Sequence, residues 1–341
     1  MKKIIALDKF LNLQLKTQII FIICAFLSVD SIEAQNTFVH DPVMIKQDSL
    51  YYLFCTGPGI SMISSSDMQN WKYEGPVFQN APGWTFSKIP GFKGHMWAPD
   101  ISLHNDIYYL YYSVSAFGKN TSCIGVAMNK TLNRSDSLYQ WTDQGIVVQS
   151  VPGRDLWNAI DPNIIHDENG TPWMVFGSFW EGIKLVKLNS NLTEIASPEE
   201  WYTVAKRYRS RDIRDADPGD AAIEAPFIFK KNGYYYLFVS FDYCCRGINS
   251  NYKIMVGRSE KVTGPYFDRE GKDMFEGGAS LVLKGNDDWP GVGHNSVYTF
   301  NEKDYIVFHA YDALQNGKPK LQIRELDWDA DGWPIVLNAF K

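Results

Sequence analysis

Short runs of hydrophobic and aromatic residues recur five times along the chain and alternate with polar turns. Each run follows a second extended segment across a polar turn, which is the pattern of a β-hairpin. A third alternating segment and a fourth short strand follow each hairpin, and helical periodicity is weak throughout. The aromatic runs are YYLFCTG at 51, YYLYYSV at 108, WMVFGSF at 173, YYYLFVSF at 234 and YIVFHAY at 305. Five repeats of four strands predict an all-β, five-bladed β-propeller with about four antiparallel strands per blade.

A polar residue begins the first strand of each repeat. These repeat-start residues are Asp41, Asp100, Asp161, Glu224 and His294. A two-sheet β-sandwich also contains many short strands and is the alternative fold, but it does not predict a polar residue at the same place in five repeats. The repeats are longer than the roughly 40–50 residues of common propeller blades, so we expect the surplus in loops. The longest predicted loop spans 206–220, between the third and fourth repeats.

The first 34 residues have the layout of a secretory signal. Lysines precede the apolar run IIFIICAFLSV at 19–29, and SIEAQ follows it, with cleavage expected after Ala34. Eleven apolar residues are too few for a membrane span, which needs roughly 20, although a membrane anchor is the alternative interpretation. We therefore predict a signal peptide over 1–34 and a single propeller domain over 35–341. The mature chain would have no membrane span and would be exported to the periplasm or the extracellular space.

The charge of the chain limits the classes of molecule that it can bind. The chain carries 33 Lys and Arg against 39 Asp and Glu, a formal net charge of −6, without the basic stripe that nucleic-acid binding requires. We expect no nucleic-acid partner, and we expect a monomer.

Outside the signal, four cysteines would meet an oxidising compartment, and their pairing is left open by the sequence: Cys55, Cys123, Cys244 and Cys245. The adjacent pair lacks the C-x-x-C spacing of a zinc or redox site, so it is either two buried small hydrophobes or a structural bridge.

The repeat-start residues are candidates for chemistry. The first strand of each propeller blade lines the central channel, so these four carboxylates and one imidazole should converge at one end of the axis. A single acidic residue before a strand more commonly caps a turn, and it is the recurrence that favours a functional site. Paired carboxylates serve glycosidic bond cleavage. Aromatic rings near these residues suit the apolar face of a sugar, although core packing also explains them: Trp97, Phe117 and Trp180.

Eight segments occur in order along almost the whole mature chain: HDP at 40–42, WAPD at 97–100, AIDPN at 159–163, GSFWEGI at 177–183, IEAPFI at 223–228, SFDYCCRG at 240–247, GHNSV at 293–297 and FHAYDA at 308–313. Together they resemble glycoside hydrolase family 43, specifically its endo-α-1,5-L-arabinanases. The resemblance implies a five-bladed propeller that cleaves arabinan and arabino-oligosaccharides by inversion. It also implies that Asp41 is the general base and Glu224 the general acid. Asp161 would orient the acid and, as a neighbouring anion, raise its pKa.

The resemblance further implies a calcium ion on the axis, bound through His294 and waters, although calcium prefers oxygen ligands. It implies no catalytic role for Asp100, which we expect to position Trp97 or to line the channel. The same family contains exo-acting arabinanases, α-L-arabinofuranosidases and β-xylosidases, which remain alternatives to endo action. Two other classes remain. One is a carbohydrate-binding propeller without catalysis. The other is a retaining fructan hydrolase, whose WMNDPN and E-C motifs are replaced here by VHDPV and IEAP.

Overall fold

Five antiparallel sheets of four or five strands follow one another along the chain in a computed structural model. The structure describes residues 37–340, so the predicted signal peptide lies outside the described residues. Each sheet is one blade of a five-bladed β-propeller, which confirms the predicted fold class. Within 37–340, no helix has the length and apolar character that crossing a membrane requires.

The strands of each blade are consecutive in the sequence, except that β3 (Gly57–Pro58) lies within the blade 1 segment and pairs with blade 2. Blade 1 contains β1 (Val43–Gln47), β2 (Leu50–Cys55), β4 (Ser61–Ser65) and β5 (Lys72–Pro76). Blade 2 contains β6 (His95–His104), β7 (Ile107–Val114), β8 (Ser122–Asn129) and β9 (Thr142–Ser150), with the short β3 (Gly57–Pro58) paired to β6. Blade 3 contains β10 (Asn163–His166), β11 (Pro172–Phe176), β12 (Ile183–Lys187) and β13 (Trp201–Ala205). Blade 4 contains β14 (Ile223–Lys231), β15 (Tyr234–Phe241), β16 (Lys253–Ser259) and β17 (Ser280–Lys284). Blade 5 contains β18 (Val292–Phe300), β19 (Lys303–Asp312), β20 (Lys318–Trp328) and β21 (Pro334–Val336).

Helical segments in the described residues are short: α1 (Gly83–Lys88) and three 3₁₀ turns at Gly247–Asn249, Met274–Glu276 and Ala313–Gln315.

Tight turns of two residues set the register of the first hairpin in four blades. In blade 4, Lys231 faces Tyr234, and the residues between them, Asn232 and Gly233, have φ values of 49° and 82°. A two-residue turn with two positive φ values matches the right-handed twist of the flanking strands, and asparagine and glycine adopt it at low cost. The local sequence therefore fixes which strand residues face the core.

Hydrophobic side chains fill the spaces between neighbouring blades. Phe54 of β2 packs in one buried cluster with Leu110 of β7, and Phe238 of β15 packs in another with Phe308 of β19. Because side chains of a strand alternate between its two faces, β7, β11 and β15 each contribute to the clusters on both sides of their blade. The aromatic runs that predict the hairpins are thus the main source of the core.

Segments from both ends of the described chain pair with β20 along the outer edge of blade 5. One half of β20 pairs with β21, and the other half is bridged by Phe38, which faces Lys320. The backbone N–H of Leu321 donates to the Thr37 carbonyl at 3.0 Å. Since residue 40 leads directly into blade 1, this pairing joins the first blade to the last.

Candidate active site

A residue with positive φ lies near the start of the first strand of every blade. The five bulge residues, as we name them, are Asp41 (φ 55°), Ala98 (41°), Asp161 (60°), Ala225 (54°) and His294 (50°). The strand register shifts at this place in β6, β14 and β18, which identifies a β-bulge. A bulge re-aims side chains, and non-glycine residues keep a positive φ only where the surrounding structure enforces it. The recurring bulge therefore marks one end of the propeller as a candidate site.

Two of the predicted repeat-start residues are out of register with this bulge. Asp100 lies two residues after Ala98, and Glu224 lies one residue before Ala225. The Asp100 carboxylate is buried between blades, where it accepts the Ile164 N–H at 2.8 Å and the Asn163 side-chain amide at 3.3 Å. Burial raises the pKa of Asp100 to about 6, and these two donors limit the rise. Asp100 is therefore a link between blades 2 and 3, which corrects the expectation that all five converge.

The Asp41 carboxylate is held in place by three side chains. Its Oδ1 atom lies 2.8 Å from His40 Nδ1 and 3.0 Å from His294 Nδ1, and the Thr56 hydroxyl donates to Oδ2. Burial opposes ionisation of Asp41, but the two imidazoles outweigh it and hold its pKa well below the usual range. Burial would likewise lower the pKa of His294, yet Asp41 and neighbouring carboxylates raise it to about 9. Asp41 is thus an anion stabilised by a cationic His294.

A third histidine lies behind Asp41. The backbone N–H of Asp41 donates to His309 Nδ1 at 3.2 Å, so this ring is neutral and carries its proton on Nε2. Burial, together with the nearby His40, holds the pKa of His309 well below the usual range. The His40 and His309 rings are stacked with centroids 4.0 Å apart. Both histidines belong to segments quoted above, HDP and FHAYDA, but their contact with Asp41 was not predicted.

Backbone N–H groups of the bulge residues show which blade differs from the others. In four blades this N–H donates to a side chain at the end of the second strand of the preceding blade: His309, Thr56, Ser113 or Ser240. Blade 3 has Gly177 at that place, where no side chain is available. The Ala225 N–H donates instead to Asp161 Oδ2 at 3.0 Å, and the next residue, Ser178, donates to Glu224 Oε2 at 2.8 Å. The blade without a side chain at this place is thus the one next to Asp161 and Glu224.

Asp161 is a buried carboxyl and Glu224 a partly buried one, and each influences the pKa of the other. Burial raises the pKa of Asp161, and the negative charges of Glu224 and Asp41 add to the rise. Burial also raises the pKa of Glu224. Two adjacent carboxyls whose pKa values are both raised share one proton near neutral pH. The Ala225 N–H favours the Asp161 anion, and the Ser178 hydroxyl likewise favours the Glu224 anion, so the shared proton lies between the two carboxyls.

The three aromatic candidates for sugar contact differ in exposure. Phe117 is 81% exposed, and Trp97 is half-buried, directly before the bulge residue Ala98. Trp180 is 2% exposed, and its indole N–H donates to the Asp215 carbonyl in the long loop at 206–220. Trp180 therefore has no ring face available to a sugar in this structure. The sequence suggested a platform there, but the loop packs over the ring.

The chemistry of the donors around His294 is incomplete for calcium. Calcium takes six to eight oxygen ligands, whereas His294 offers a single nitrogen beyond the Nδ1 atom that contacts Asp41, and only in its neutral form. In the described range, the close set of three ligating side chains is His40, Asp41 and His309, which lacks His294. Calcium at His294 would need water for its remaining ligands, and it stays a prediction.

Cys244 and Cys245 form a disulfide between β15 and β16, and Cys55 and Cys123 are buried free thiols. Cys245 is exposed. Of the two interpretations left open by the sequence, the bridge is therefore correct.

The sequence and the fold were compared with those of known proteins. Residues 35–334 match the family model described as glycosyl hydrolases family 43. An extracellular exo-α-(1→5)-L-arabinofuranosidase of Cellvibrio japonicus is 55% identical over 92% of this chain and 90% of its own length. An extracellular endo-α-(1→5)-L-arabinanase of Bacillus subtilis is 43% identical over 88% of each chain. Among solved structures, the Cellvibrio cellulosa α-L-arabinanase complexed with arabinohexaose superposes with a TM-score of 0.88 at 55% identity, covering 89% of this chain and 96% of that one. The chain belongs to family 43 of the glycosyl hydrolases.

Proposed function

We propose that this chain hydrolyses α-1,5-L-arabinofuranosidic bonds of arabinan and arabino-oligosaccharides with inversion, using Asp41 as base and Glu224 as acid. The observation that carries the proposal is that the pKa values of two carboxyls in one site are shifted in opposite directions. The pKa of Asp41 is held low by histidines, whereas burial raises the pKa of Glu224. Such a pair keeps one group ionised and the other protonated at the same pH, which glycoside hydrolysis requires. The names of the relatives supply the substrate class.

The reaction uses these groups in one displacement. Glu224 donates its proton to the leaving glycosidic oxygen while Asp41 takes a proton from the attacking water on the opposite face of the sugar. His40, His294 and the Thr56 hydroxyl fix the Asp41 carboxylate, and Ser178 fixes Glu224. Asp161 keeps the proton on Glu224 before the bond breaks. Solvent then resets both carboxyls.

The mode of attack on the polymer has two candidates. The sequence motifs favour endo cleavage, whereas the relative at 55% identity is named exo-acting and the relative at 43% endo-acting. Endo action needs a groove open at both ends, and loops decide that. Trp97 and Phe117 are the proposed sugar contacts. Both relatives are named extracellular, which supports the proposed export through the predicted signal.

Time-resolved product analysis on linear arabinan tests the proposal. Endo cleavage gives a ladder of oligosaccharides and rapid loss of viscosity, whereas exo cleavage releases one product size from the start. Proton NMR of the first-formed reducing end distinguishes inversion, which gives the β-anomer, from the retention expected of the fructan-hydrolase alternative. Absence of any product, with binding retained, would support the carbohydrate-binding propeller instead.

Replacing Asp161 with asparagine should move the alkaline limb of the pH–rate profile to lower pH. The general acid works only when protonated, so activity falls as the pH rises through the pKa of Glu224. Removing the neighbouring anion lowers that pKa, because ionisation of Glu224 then meets less repulsion. A full profile of kcat/KM measures the shift, and affinity for an oligosaccharide should be retained. A limb that stays in place or moves upward would contradict the role of Asp161.

Exhaustive chelation should lower activity without unfolding the propeller, if calcium is bound at His294. His294→Ala should have the same effect and should become insensitive to chelation. Elemental analysis, circular dichroism and turnover measured together test this prediction. Full turnover in verified metal-free protein would remove calcium from the proposal.

A further inference from the structure

The disulfide turn between β15 and β16 lies at the same end of the propeller as Asp41. The turn is closed by Tyr243 and Asn251, since the Tyr243 N–H donates to the Asn251 side chain at 2.9 Å and the Asn251 N–H donates to the Tyr243 carbonyl at 3.1 Å. Cys245 has a φ of 66°, which is uncommon for a residue with a side chain. Cross-linking it to its neighbour limits the backbone conformations that the turn can adopt.

A chain of hydrogen bonds connects this turn to the carboxylate. The backbone N–H of Cys245 donates to the Tyr311 hydroxyl oxygen at 2.8 Å. The same hydroxyl lies 2.9 Å from His40 Nε2, and His40 Nδ1 lies 2.8 Å from Asp41 Oδ1. Tyr311 is 2% exposed, so bulk water competes little for the contacts of its hydroxyl.

The directions of these bonds follow from the first donor. Because Tyr311 accepts from Cys245, its own proton is free to point at His40 Nε2. A His40 ring that accepts at Nε2 carries its proton on Nδ1, which is the atom that faces Asp41. By occupying one lone pair of the Tyr311 hydroxyl, the Cys245 N–H favours the tautomer that donates to the carboxylate, and stacking on His309 holds the plane of the His40 ring.

We propose that the Cys244–Cys245 disulfide, Tyr311 and His40 form a positioning relay that orients the Asp41 carboxylate toward the attacking water. The inference rests on the proposed role of Asp41 as general base. None of the three needs to touch the sugar for the relay to work. Their effect is on kcat, because they fix the geometry of a group that acts in the bond-breaking step.

Tyr311→Phe removes one oxygen atom from the relay and leaves the ring in place. We expect kcat to fall about tenfold, with KM within about twofold of wild type. The loss should be equal on an arabino-oligosaccharide and on an activated aryl arabinofuranoside, since the base is needed whichever group leaves. Tyr266→Phe is the matched control, because that buried hydroxyl donates to the Val262 carbonyl at 2.7 Å and should affect stability without changing kcat.

Reduction supplies an independent test on the unaltered chain. Dithiothreitol converts the disulfide to two thiols and is itself oxidised to its cyclic disulfide, and we expect kcat to fall about as far as in Tyr311→Phe. Reoxidation should restore the activity. The double variant Cys244→Ser/Cys245→Ser should have the same low kcat and no response to dithiothreitol. Reduction of Tyr311→Phe should add little further loss, because both changes break one relay.

The relay is wrong if reduction leaves kcat unchanged, or if the losses caused by reduction and by Tyr311→Phe multiply. It is also wrong if reduction raises KM and leaves kcat unchanged, which would make the sulfurs a sugar contact. Circular dichroism accompanies each assay, and reduced wild-type protein remains the test should the serine variant not fold. Asp41→Ala distinguishes a failure of the proposed base from a failure of the relay. Activity retained in Asp41→Ala would refute the proposed base, whereas an inactive Asp41→Ala beside fully active relay variants would refute the relay alone.

Discussion

Asp41→Ala should lower kcat by about 10³- to 10⁴-fold on every glycoside that the protein accepts. Water is a poor nucleophile, and it must lose a proton as it attacks whether the leaving group is a sugar or an activated phenol. The variant also leaves the His40 and His294 rings without their shared partner. Initial rates on linear arabinan and on an aryl arabinofuranoside measure both losses.

Asp100→Asn is the matched control for that experiment. Asp100 is also a buried carboxyl at the start of a blade, but its oxygens accept hydrogen bonds from blade 3 and do not reach the Asp41 group. We expect a less stable protein with near wild-type kcat. Equal loss in both variants would show that Asp41 has only a structural role. Aryl activity kept by Asp41→Ala would contradict its assignment as base.

The fold could be predicted because its signals are local. Alternating strands and short polar turns determine each hairpin within about twenty residues, and the same unit repeats five times. The turn at Asn232 and Gly233 has the positive φ values that its sequence favours. Closure of the ring by Phe38 against β20 was not predicted, because that pairing joins residues from opposite ends of the chain.

The register of the site was only partly predictable. Aligning the repeats on their acidic residues misplaces Asp100 and puts Glu224 one residue away from the bulge. Proline follows the bulge residue in four blades and would have given the alignment: Pro42, Pro99, Pro162 and Pro226. Proline restricts the backbone on both sides, so it follows the backbone geometry, whereas an acidic side chain has several possible uses.

The groups that control the carboxylates were beyond sequence reasoning. His309 is 268 residues from Asp41, and Tyr311 is 271 residues from His40, so no spacing rule connects them. The role of Gly177 is visible only by comparing blades, because it acts by lacking a side chain. Trp180 was misread because an aromatic residue beside a site residue has the same sequence signal whether a loop covers it or not.

Glu224→Ala should separate two kinds of substrate. A sugar alkoxide is a poor leaving group and needs the proton of Glu224, so arabinan cleavage should fall about 10³-fold. An activated phenol departs without that proton, and much of the rate on an aryl arabinofuranoside should survive, provided the site accepts it. The alkaline limb of the pH–rate profile should also disappear on the aryl substrate, since the group that must stay protonated is gone. Glu181→Ala is the control, because that partly exposed carboxylate, 3.7 Å from Lys206, belongs to the segment that carries Ser178. Equal losses on both substrates would mean that Glu224 holds the site together without acting as the acid.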